Sequence, residues 1–442
     1  MTSPFRRRFA GIATVAAVGL ALTACGSSGP SATSSTAGGA AATSGRGNIW
    51  VLTDAGLNPI EQKTVDAFNK TSDTKFTLGN YANDPYKQKL QTAIGSPNQP
   101  DIFYNWGGGN LRQYVDAKQV ADLTAAVDGD STFKNKFMPS VLGVGTIEGK
   151  IYGLPMQGVL PVMMFANKDV LAKAGISQMA TTWSGFLADV DKLKAAGVTP
   201  IALAGSQGWT ELMWLEYLLD RNGGADKFQA IVKGASGAWA DPAVTKSLEM
   251  IQDLVKRGAF GTNYSAVGYD NQGTQALMAG GKAGYEVMGS WEVTALNGSF
   301  PDFAKSPALI WGKFPTVAGG AGDANAIVGN PSNYYSVTDK SPNKDAAIKY
   351  LLATLTADTY VEGLLSIGQV PAITGLESKV NKGDFAQFSS FTYKLVGDAS
   401  SFTQSWDQAL SAATSQTLLT NLQKIFLNEI TPQDFVKAME AA

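Results

Sequence analysis

The chain has 442 residues with 35 basic and 37 acidic side chains, and this slight negative charge disfavours nucleic acid and anionic membrane surfaces as partners. It contains no histidine, which excludes Ser-His-Asp and Cys-His catalysis and zinc sites ligated by histidine. Carboxylate chemistry of the kind that glycosidases use is the enzymatic route that remains.

The first 24 residues have the pattern of a secretory signal peptide. Three arginines at positions 6–8 precede an uninterrupted run of apolar and small residues over 9–22. The run ends in Leu-Thr-Ala-Cys, which resembles the lipobox of bacterial lipoproteins, and Cys25 is the only cysteine in the chain. Because a lone cysteine cannot form an internal disulfide, we expect Cys25 to carry a lipid anchor. This predicts a protein held at the extracellular face of the cell membrane.

Residues 25–47 consist almost wholly of Gly, Ser, Ala and Thr, which predicts a flexible linker. Residues 48–442 are more than one hydrophobic core usually organises, so two domains are expected.

The first part of this region alternates strand and helix patterns. Strands are predicted over 48–52 and 100–104, and helices over the ranges 59–70, 86–94 and 111–120. This alternation is typical of parallel βαβ units in a three-layer α/β domain. The second strand runs into the loop Asn-Trp-Gly-Gly-Gly-Asn, which falls where ligands bind in open parallel sheets.

The same alternation starts again after residue 157 and predicts a second α/β lobe. Strands are predicted over 159–165 and 200–204, and the second of them leads into a loop over 205–211. A helix over 182–196 has Thr182 as its N-cap and Gly197 just past its end. Further helices are predicted over 168–174, 244–257, 271–279 and 345–355, and after Pro432.

The order of several short motifs resembles family 1 extracellular solute-binding proteins of ABC sugar importers, which include maltose-binding protein. The motifs are Trp50, Pro100–Trp106, Gly149–Pro155, Asn167–Leu171, Gly280–Gly284, Gly289–Trp291 and Thr431–Asp434. The resemblance implies an α/β fold similar to type II periplasmic binding proteins, in which two three-layer lobes joined by a hinge enclose the ligand. It places lobe 1 at 48–157 and 313–372, and lobe 2 at 158–312 and 373–442. The finer likeness is to actinobacterial binders of xylobiose, xylo-oligosaccharides or raffinose-type sugars.

A sugar site needs aromatic rings against the faces of the sugar and amide or carboxyl groups around its edge. Loop positions beside glycine suggest several such residues, and the resemblance adds Trp291, Trp406 and Asp407. The candidate ligand-binding residues are Asn83, Asp84, Asn105, Trp106, Trp209, Glu211, Trp291, Trp406 and Asp407. Met213 falls about where the maltose binder has a stacking tyrosine. The remaining tryptophans, Trp50, Trp183, Trp214, Trp239 and Trp311, are expected in the core.

These features predict a monomeric binding protein, without cofactor or metal, that passes a carbohydrate to the permease of an ABC importer. A binder of a non-sugar solute such as a polyamine would require a cluster of acids in the cleft. A secreted glycosidase would require a pair of carboxyl groups at a set separation. Without histidine, ligand affinity is expected to be nearly constant between pH 6 and 8.

Overall fold

The computed structural model describes residues 43–442. The signal peptide, Cys25 and the linker up to residue 42 lie outside this range. The first strand starts at Arg46, two residues before the predicted boundary at residue 48. Asn343 holds this start through its side chain, which accepts a hydrogen bond from the Gly45 amide and donates to the Thr43 carbonyl.

The described residues form fourteen strands and twenty α-helices, with one further 3-10 turn at Tyr264–Ala266. The strands are β1 (Arg46–Leu52), β2 (Lys75–Tyr81), β3 (Ile102–Asn105), β4 (Thr146–Ile147), β5 (Lys150–Ile151), β6 (Leu154–Pro155), β7 (Gly158–Asn167), β8 (Thr199–Ala202), β9 (Ala283–Gly289), β10 (Leu309–Gly312), β11 (Ile327–Asn330), β12 (Tyr334–Val337), β13 (Val370–Pro371) and β14 (Phe402–Gln404). The helices are α1 (Asn58–Thr71), α2 (Asn83–Ala93), α3 (Gly108–Asp116), α4 (Thr124–Asp128), α5 (Ser131–Lys134), α6 (Pro139–Val144), α7 (Lys168–Lys173), α8 (Trp183–Ala195), α9 (Gly208–Gly223), α10 (Ala225–Val232), α11 (Pro242–Arg257), α12 (Gly273–Ala279), α13 (Glu292–Ser299), α14 (Pro301–Ala304), α15 (Lys344–Thr354), α16 (Asp358–Ser366), α17 (Ala386–Gly397), α18 (Trp406–Ala409), α19 (Ala412–Phe426) and α20 (Pro432–Glu440).

The first sheet has the strand order β2-β1-β3-β12-β6. Strand β1 pairs in parallel with β2 and β3, as the predicted βαβ units require, whereas β12 is antiparallel to β3. The apolar run in β1 is buried, and Ile49 is fully inaccessible to solvent. Helices from both parts of the chain cover this sheet and complete the first hydrophobic core.

The second sheet has the order β14-β11-β7-β9-β8, and its long central strand β7 is buried at all ten positions. An apolar strand that is covered on both faces needs no polar alternation, which explains its continuous hydrophobic sequence. Parallel pairing occurs between β8 and β9 and between β11 and β14, whereas β7 is antiparallel to β9. The second lobe is therefore a mixed sheet, where the sequence predicted parallel units.

The chain passes between the two sheets at several points. Strand β11 pairs with β7 of the second sheet, and β12, only three residues later, pairs with β3 of the first. The segment 313–330 thus packs with the second core, although the sequence assigned 313–372 to lobe 1. The full set of lobe boundaries stays a prediction. Within the described part of the chain, none of the helices has the length and hydropathy needed to cross a bilayer.

Helix ends that carry a capping signal lie where the sequence predicts them. The Thr182 hydroxyl accepts from the Gly185 amide at the start of α8, and Gly197 adopts a left-handed conformation with φ of 73° after it. Pro432 opens α20 behind a capping box formed by Thr431 and Asp434.

Helix α9 is the main element that the sequence patterns did not predict. Its first residues were expected to be a loop over 205–211, yet the helix begins at Gly208 and continues to Gly223. Thirteen of its sixteen residues are buried, because it runs through the second core with neighbours on every side. A helix without a solvent-exposed face lacks the periodic alternation of apolar and polar residues by which a surface helix is recognised in a sequence.

The glycines that open α3 allow the two cores to approach closely. A Cβ at Gly109 would lie 2.5 Å from the carbonyl oxygens of Ala409 and Leu410, and one at Gly108 would lie 2.4 Å from the Gln404 side chain. The Gln404 amide also donates to the Trp106 carbonyl at 2.9 Å. These contacts join the first core to β14 and α18, which lie with the second core.

We predict that Gly109→Ala destabilises the protein because its methyl group must push α3 away from α18. Overpacking of this kind costs about 1–3 kcal/mol. The matched control is Gly143→Ala in α6, where an added Cβ meets nothing within 4 Å and helix propensity favours alanine. Urea unfolding should give a lower free energy for Gly109→Ala and an equal or higher one for the control. Equal values for both variants would contradict the close contact.

Candidate functional site

A cavity of about 300 Å³ lies between the two hydrophobic cores. Both cores contribute a tryptophan to its wall: Trp106 follows β3 in the first, and Trp209 and Trp291 come from the second. Aromatic walls with a few polar groups are typical of sites for small organic ligands. Of the nine candidate residues, the cavity brings together Asn83, Trp106, Trp209, Trp291 and Asp407.

The turn between β9 and α13 places Trp291 in the cavity wall. The indole folds back over Gly289, where a Cβ would lie 1.9 Å from the ring, so no other residue fits this position without displacing it. The Ser290 amide donates to the Pro161 carbonyl and fixes the turn to β7. Trp291 and Trp209 lie 6.3 Å apart between ring centroids, and Tyr269 packs edge-on against Trp209. Together these rings form an aromatic surface on the second core.

Trp106 is more enclosed than a stacking residue on an open loop would be. It is 6% exposed, and it packs edge-to-face with Tyr86 and Tyr104. The Lys87 ammonium lies 5.1 Å from the centre of its ring. One face of this indole is therefore already engaged by a cation–π contact.

Several buried polar atoms in the cavity wall have no hydrogen-bond partner among the described residues. They are the indole nitrogen of Trp209 and the side-chain oxygens of Asn330 and Gln408. Leaving such groups unpaired costs about 1–3 kcal/mol each, so they are suited to a ligand that supplies donors and acceptors. Asn330 and Gln408 are not among the residues predicted from sequence. Gln408 directly follows Trp406 and Asp407, which were both predicted.

Carboxyl groups outnumber cations in the cavity wall. Asp54, Glu61, Asp270 and Asp407 line it, whereas Lys87 is the one lining residue of the described chain with a positive charge. Burial raises the pKa of Asp407 despite the nearby Lys87 ammonium, which lies 4.0 Å away.

Glu61 changes the expected pH behaviour of the site. Its carboxylate accepts hydrogen bonds from the Tyr335 hydroxyl at 2.5 Å and from the Asn58 amide at 2.8 Å. Burial nevertheless raises its pKa to about 7. A group that titrates near neutrality therefore lines the cavity of a protein without histidine. The absence of histidine therefore does not by itself keep ligand affinity constant between pH 6 and 8.

Two of the remaining candidates do not line the cavity and instead interact with neighbouring side chains or backbone groups. Asn105 is fully buried, donates to the Ser336 hydroxyl and accepts from the Gly107 amide, so it shapes the turn before α3. Asp84 lies near Lys87, with 3.8 Å between carboxylate and ammonium, and its side chain is 48% exposed.

The structure also places Trp406 and Glu211 in the second core. The Trp406 indole is 1% exposed and stacks on Phe228 with 4.5 Å between the ring centroids. Glu211 lies in the first turn of α9, where burial without a charged partner raises its pKa to about 9. Glu211 was predicted on a loop and Trp406 was implied by the family resemblance, whereas neighbours from distant parts of the chain bury both residues. Met213, one helical turn after Trp209, also lines the cavity.

Residues 54–360 match the model of a family described as bacterial extracellular solute-binding protein. The chain belongs to this family. Among its relatives, an uncharacterised extracellular-binding protein of an ABC transporter from Pyrococcus horikoshii is 26% identical over 234 residues, which are 53% of this chain and 51% of the relative. An sn-glycerol-3-phosphate-binding periplasmic protein from Yersinia pestis is 26% identical over 228 residues, or 48% of this chain and 50% of the relative. The chain thus spans about half the length of these relatives.

Solved structures match the solute-binding protein over most of its length. One, from work on xylan utilization by Caldanaerobius polysaccharolyticus, has a TM-score of 0.79 and 24% identity, and covers 90% of this chain and 99% of its own. A chitin oligosaccharide binding protein has a TM-score of 0.78 and 24% identity, with 90% and 97% covered. These matches establish the predicted two-lobed fold of type II periplasmic binding proteins.

We predict that the stability of this solute-binding protein falls as the pH rises from 5 to 9. Burial raises the pKa of Glu61 to about 7, of Glu216 and Glu286 to about 8 and of Glu211 to about 9. Unfolding releases these carboxyl groups to ionise near pH 4.5, so the folded state binds more protons throughout this window. No histidine acts in the opposite direction.

The measurement is the melting temperature at pH 5, 7 and 9, for the wild type and Glu211→Gln. The variant should match the wild type at pH 5 and melt higher at pH 9, since its side chain stays neutral. A melting temperature that rises with pH would contradict the buried carboxyl groups.

Proposed function

We propose that the protein captures a di- or oligosaccharide outside the cell and delivers it to the permease of an ABC importer. The enclosed cavity supports this most directly, because it combines tryptophans from both cores with unpartnered donors and acceptors. Sugar faces pack on aromatic rings, and sugar hydroxyls both donate and accept hydrogen bonds. The solved structures named for xylan utilization and for chitin oligosaccharides support a xylobiose, xylo-oligosaccharide or raffinose-type ligand.

In this proposal Cys25 carries a lipid that holds the monomeric protein at the extracellular face of the cell membrane. The linker after it lets the folded part reach the permease without entering the bilayer. Closure of the two lobes on the sugar would present the form that the permease recognises.

The acidic wall of the cavity favours a cationic solute, such as a polyamine, as the second candidate. Four carboxyl groups and several aromatic rings could hold an ammonium group. The same charges argue against a phosphate ester such as the ligand named for the Yersinia relatives. Lys87 is the sole cation among the lining residues of the described chain, and two carboxylates already lie within 4.0 Å of it.

Membership of a solute-binding family supports a protein that binds its ligand without converting it. The alternative hypothesis is a glycosidase that hydrolyses the sugar. Such an enzyme needs one carboxyl group to protonate the leaving group and a second to act on the sugar ring. Hydrolysis of chromogenic glycosides is the direct check, and we expect none.

A thermal-shift screen of the chain from residue 26 onward tests the proposed ligand. The panel is xylobiose, xylotriose, raffinose, diacetylchitobiose, sn-glycerol 3-phosphate and spermidine. A ligand at a hundred times its Kd adds about 2.7 kcal/mol to the free energy of unfolding, so at least one of the sugars should raise the melting temperature clearly. A shift with spermidine alone would replace the sugar by a cationic solute.

Two tryptophan substitutions distinguish a residue of the cavity wall from a residue of the core. Trp291→Ala should weaken binding of the best sugar in the panel by roughly tenfold to a hundredfold, because it removes a stacking surface. Trp406→Ala should instead lower stability by about 3–5 kcal/mol, because its indole is buried against Phe228. Calorimetric titration and urea unfolding measure the two effects. Normal sugar binding by Trp291→Ala with a large loss of stability would reverse these roles.

A further inference from the structure

Two buried carboxyl groups flank the turn that carries Trp291. Glu286 lies on β9 and Glu292 opens α13, and they are 1% and 0% exposed. Their carboxyl groups lie within hydrogen-bonding reach of each other. Two carboxylates in direct contact and without a cation repel strongly, so such a pair holds a proton between them.

The hydrogen-bond partners identify the oxygen that carries this proton. Glu292 Oε2 accepts from the Gln275 side-chain amide, Nε2, at 3.0 Å. Its other oxygen, Oε1, and both oxygens of Glu286 have no partner at full hydrogen-bond geometry among the described residues, with the Tyr269 hydroxyl beside Glu292 and the Thr274 hydroxyl beside Glu286. A proton on Glu292 Oε1 that is directed at Glu286 joins Oε1 to one of the Glu286 oxygens, and it leaves Oε2 free to accept.

This arrangement fixes the orientation of the Gln275 side chain. Because Glu292 Oε2 can only accept, it selects the nitrogen of the amide and turns the amide oxygen away. That oxygen has one long contact, at 3.4 Å, with the Thr274 hydroxyl. Gln275 lines the cavity. Its oxygen is thereby available to accept from a ligand hydroxyl.

We propose that Glu292 is a positioning residue: as a neutral carboxyl group bonded to Glu286, it holds Gln275 so that the amide oxygen faces the ligand. The inference rests on the proposed function, because it assigns Gln275 to recognition of a sugar hydroxyl. It concerns a residue that does not itself line the cavity.

The arrangement makes binding sensitive to alkaline pH. Burial raises the pKa of Glu286 to about 8, and burial with the charge of Glu286 raises the pKa of Glu292 further. The Tyr269 hydroxyl and the side chains of Thr274 and Gln275 face the pair from α12 and the loop before it, and the Asp54 carboxyl of the first core acts on Tyr269. No cation is among these neighbours in the described chain. Once the shared proton is lost, repulsion between the carboxylates should loosen the turn and release Gln275.

The test compares the wild type with Glu292→Gln and Glu292→Leu. Glutamine reproduces both hydrogen bonds, since its oxygen can accept from Gln275 and its nitrogen can donate to Glu286, whereas leucine reproduces neither. The measurement is calorimetric titration with xylobiose at pH 6.5 and 9. The wild type should bind at pH 6.5 and lose its affinity at pH 9, and the affinity of Glu292→Gln should change less with pH. Glu292→Leu should bind about tenfold or more weakly than the wild type at pH 6.5, and it should remain weak at pH 9. Glu211→Gln is the control, because it removes a buried carboxyl group of raised pKa that does not line the cavity.

Infrared spectroscopy without ligand provides an independent measurement. The wild type at pH 6.5 should show the C=O stretch of a protonated carboxyl group that is absent from Glu292→Gln. An unchanged band, or folded Glu292→Leu with wild-type affinity, would overturn the inference. If the wild type itself does not bind xylobiose, the proposed ligand is wrong and the infrared result alone decides whether Glu292 holds the proton.

Discussion

The cleft between two separate hydrophobic cores, with aromatic rings and buried polar groups in its wall, is the constraint on which the rest of the structure depends. Each core is built around its own sheet. The wall of the cleft contains buried donors and acceptors that the described chain leaves unpaired. Such groups are costly in a closed and empty cleft, and a hydroxylated ligand relieves that cost. Closure and ligand binding are therefore expected to be coupled.

Buried carboxyl groups with a raised pKa are a recurring feature of the second core. Glu211, Glu216, Glu286 and Glu292 are buried, and burial raises the pKa of each. A neutral carboxyl group donates and accepts at once, as a sugar hydroxyl does, so it can organise amide side chains without introducing charge. Glu216 also holds a segment beside the cavity. Its carboxyl group accepts hydrogen bonds from the backbone amide of Trp406 and from the Ser405 hydroxyl.

The sequence predicted those parts of the fold that depend on local signals. Helix α8 and the start of α20 were predicted because their caps are encoded by neighbouring residues. Helix α9 was missed because burial on all sides removes the polar face from its pattern. The mixed pairing around β7 was missed as well, since strand direction in a sheet depends on where distant segments return.

The candidate site was predicted in part for the same physical reason. Trp291 and Trp406 look alike in sequence, since each lies beside polar residues near a glycine- or serine-containing turn. Their difference comes from Phe228, which is distant in the sequence and stacks on Trp406 alone. Asn330 and Gln408 gave no signal, because an amide becomes conspicuous only once it is buried without a partner.

The central claim is that one ligand contacts both cores. Hydrogen–deuterium exchange with and without the best-binding sugar tests this claim most directly. The account predicts slower exchange in segments from each side of the cavity, around 104–110 in the first core and around 289–292 and 405–408 in the second. The region around 168–173, which does not line the cavity, should not change. Protection confined to one core, or centred outside the cavity, would contradict the account.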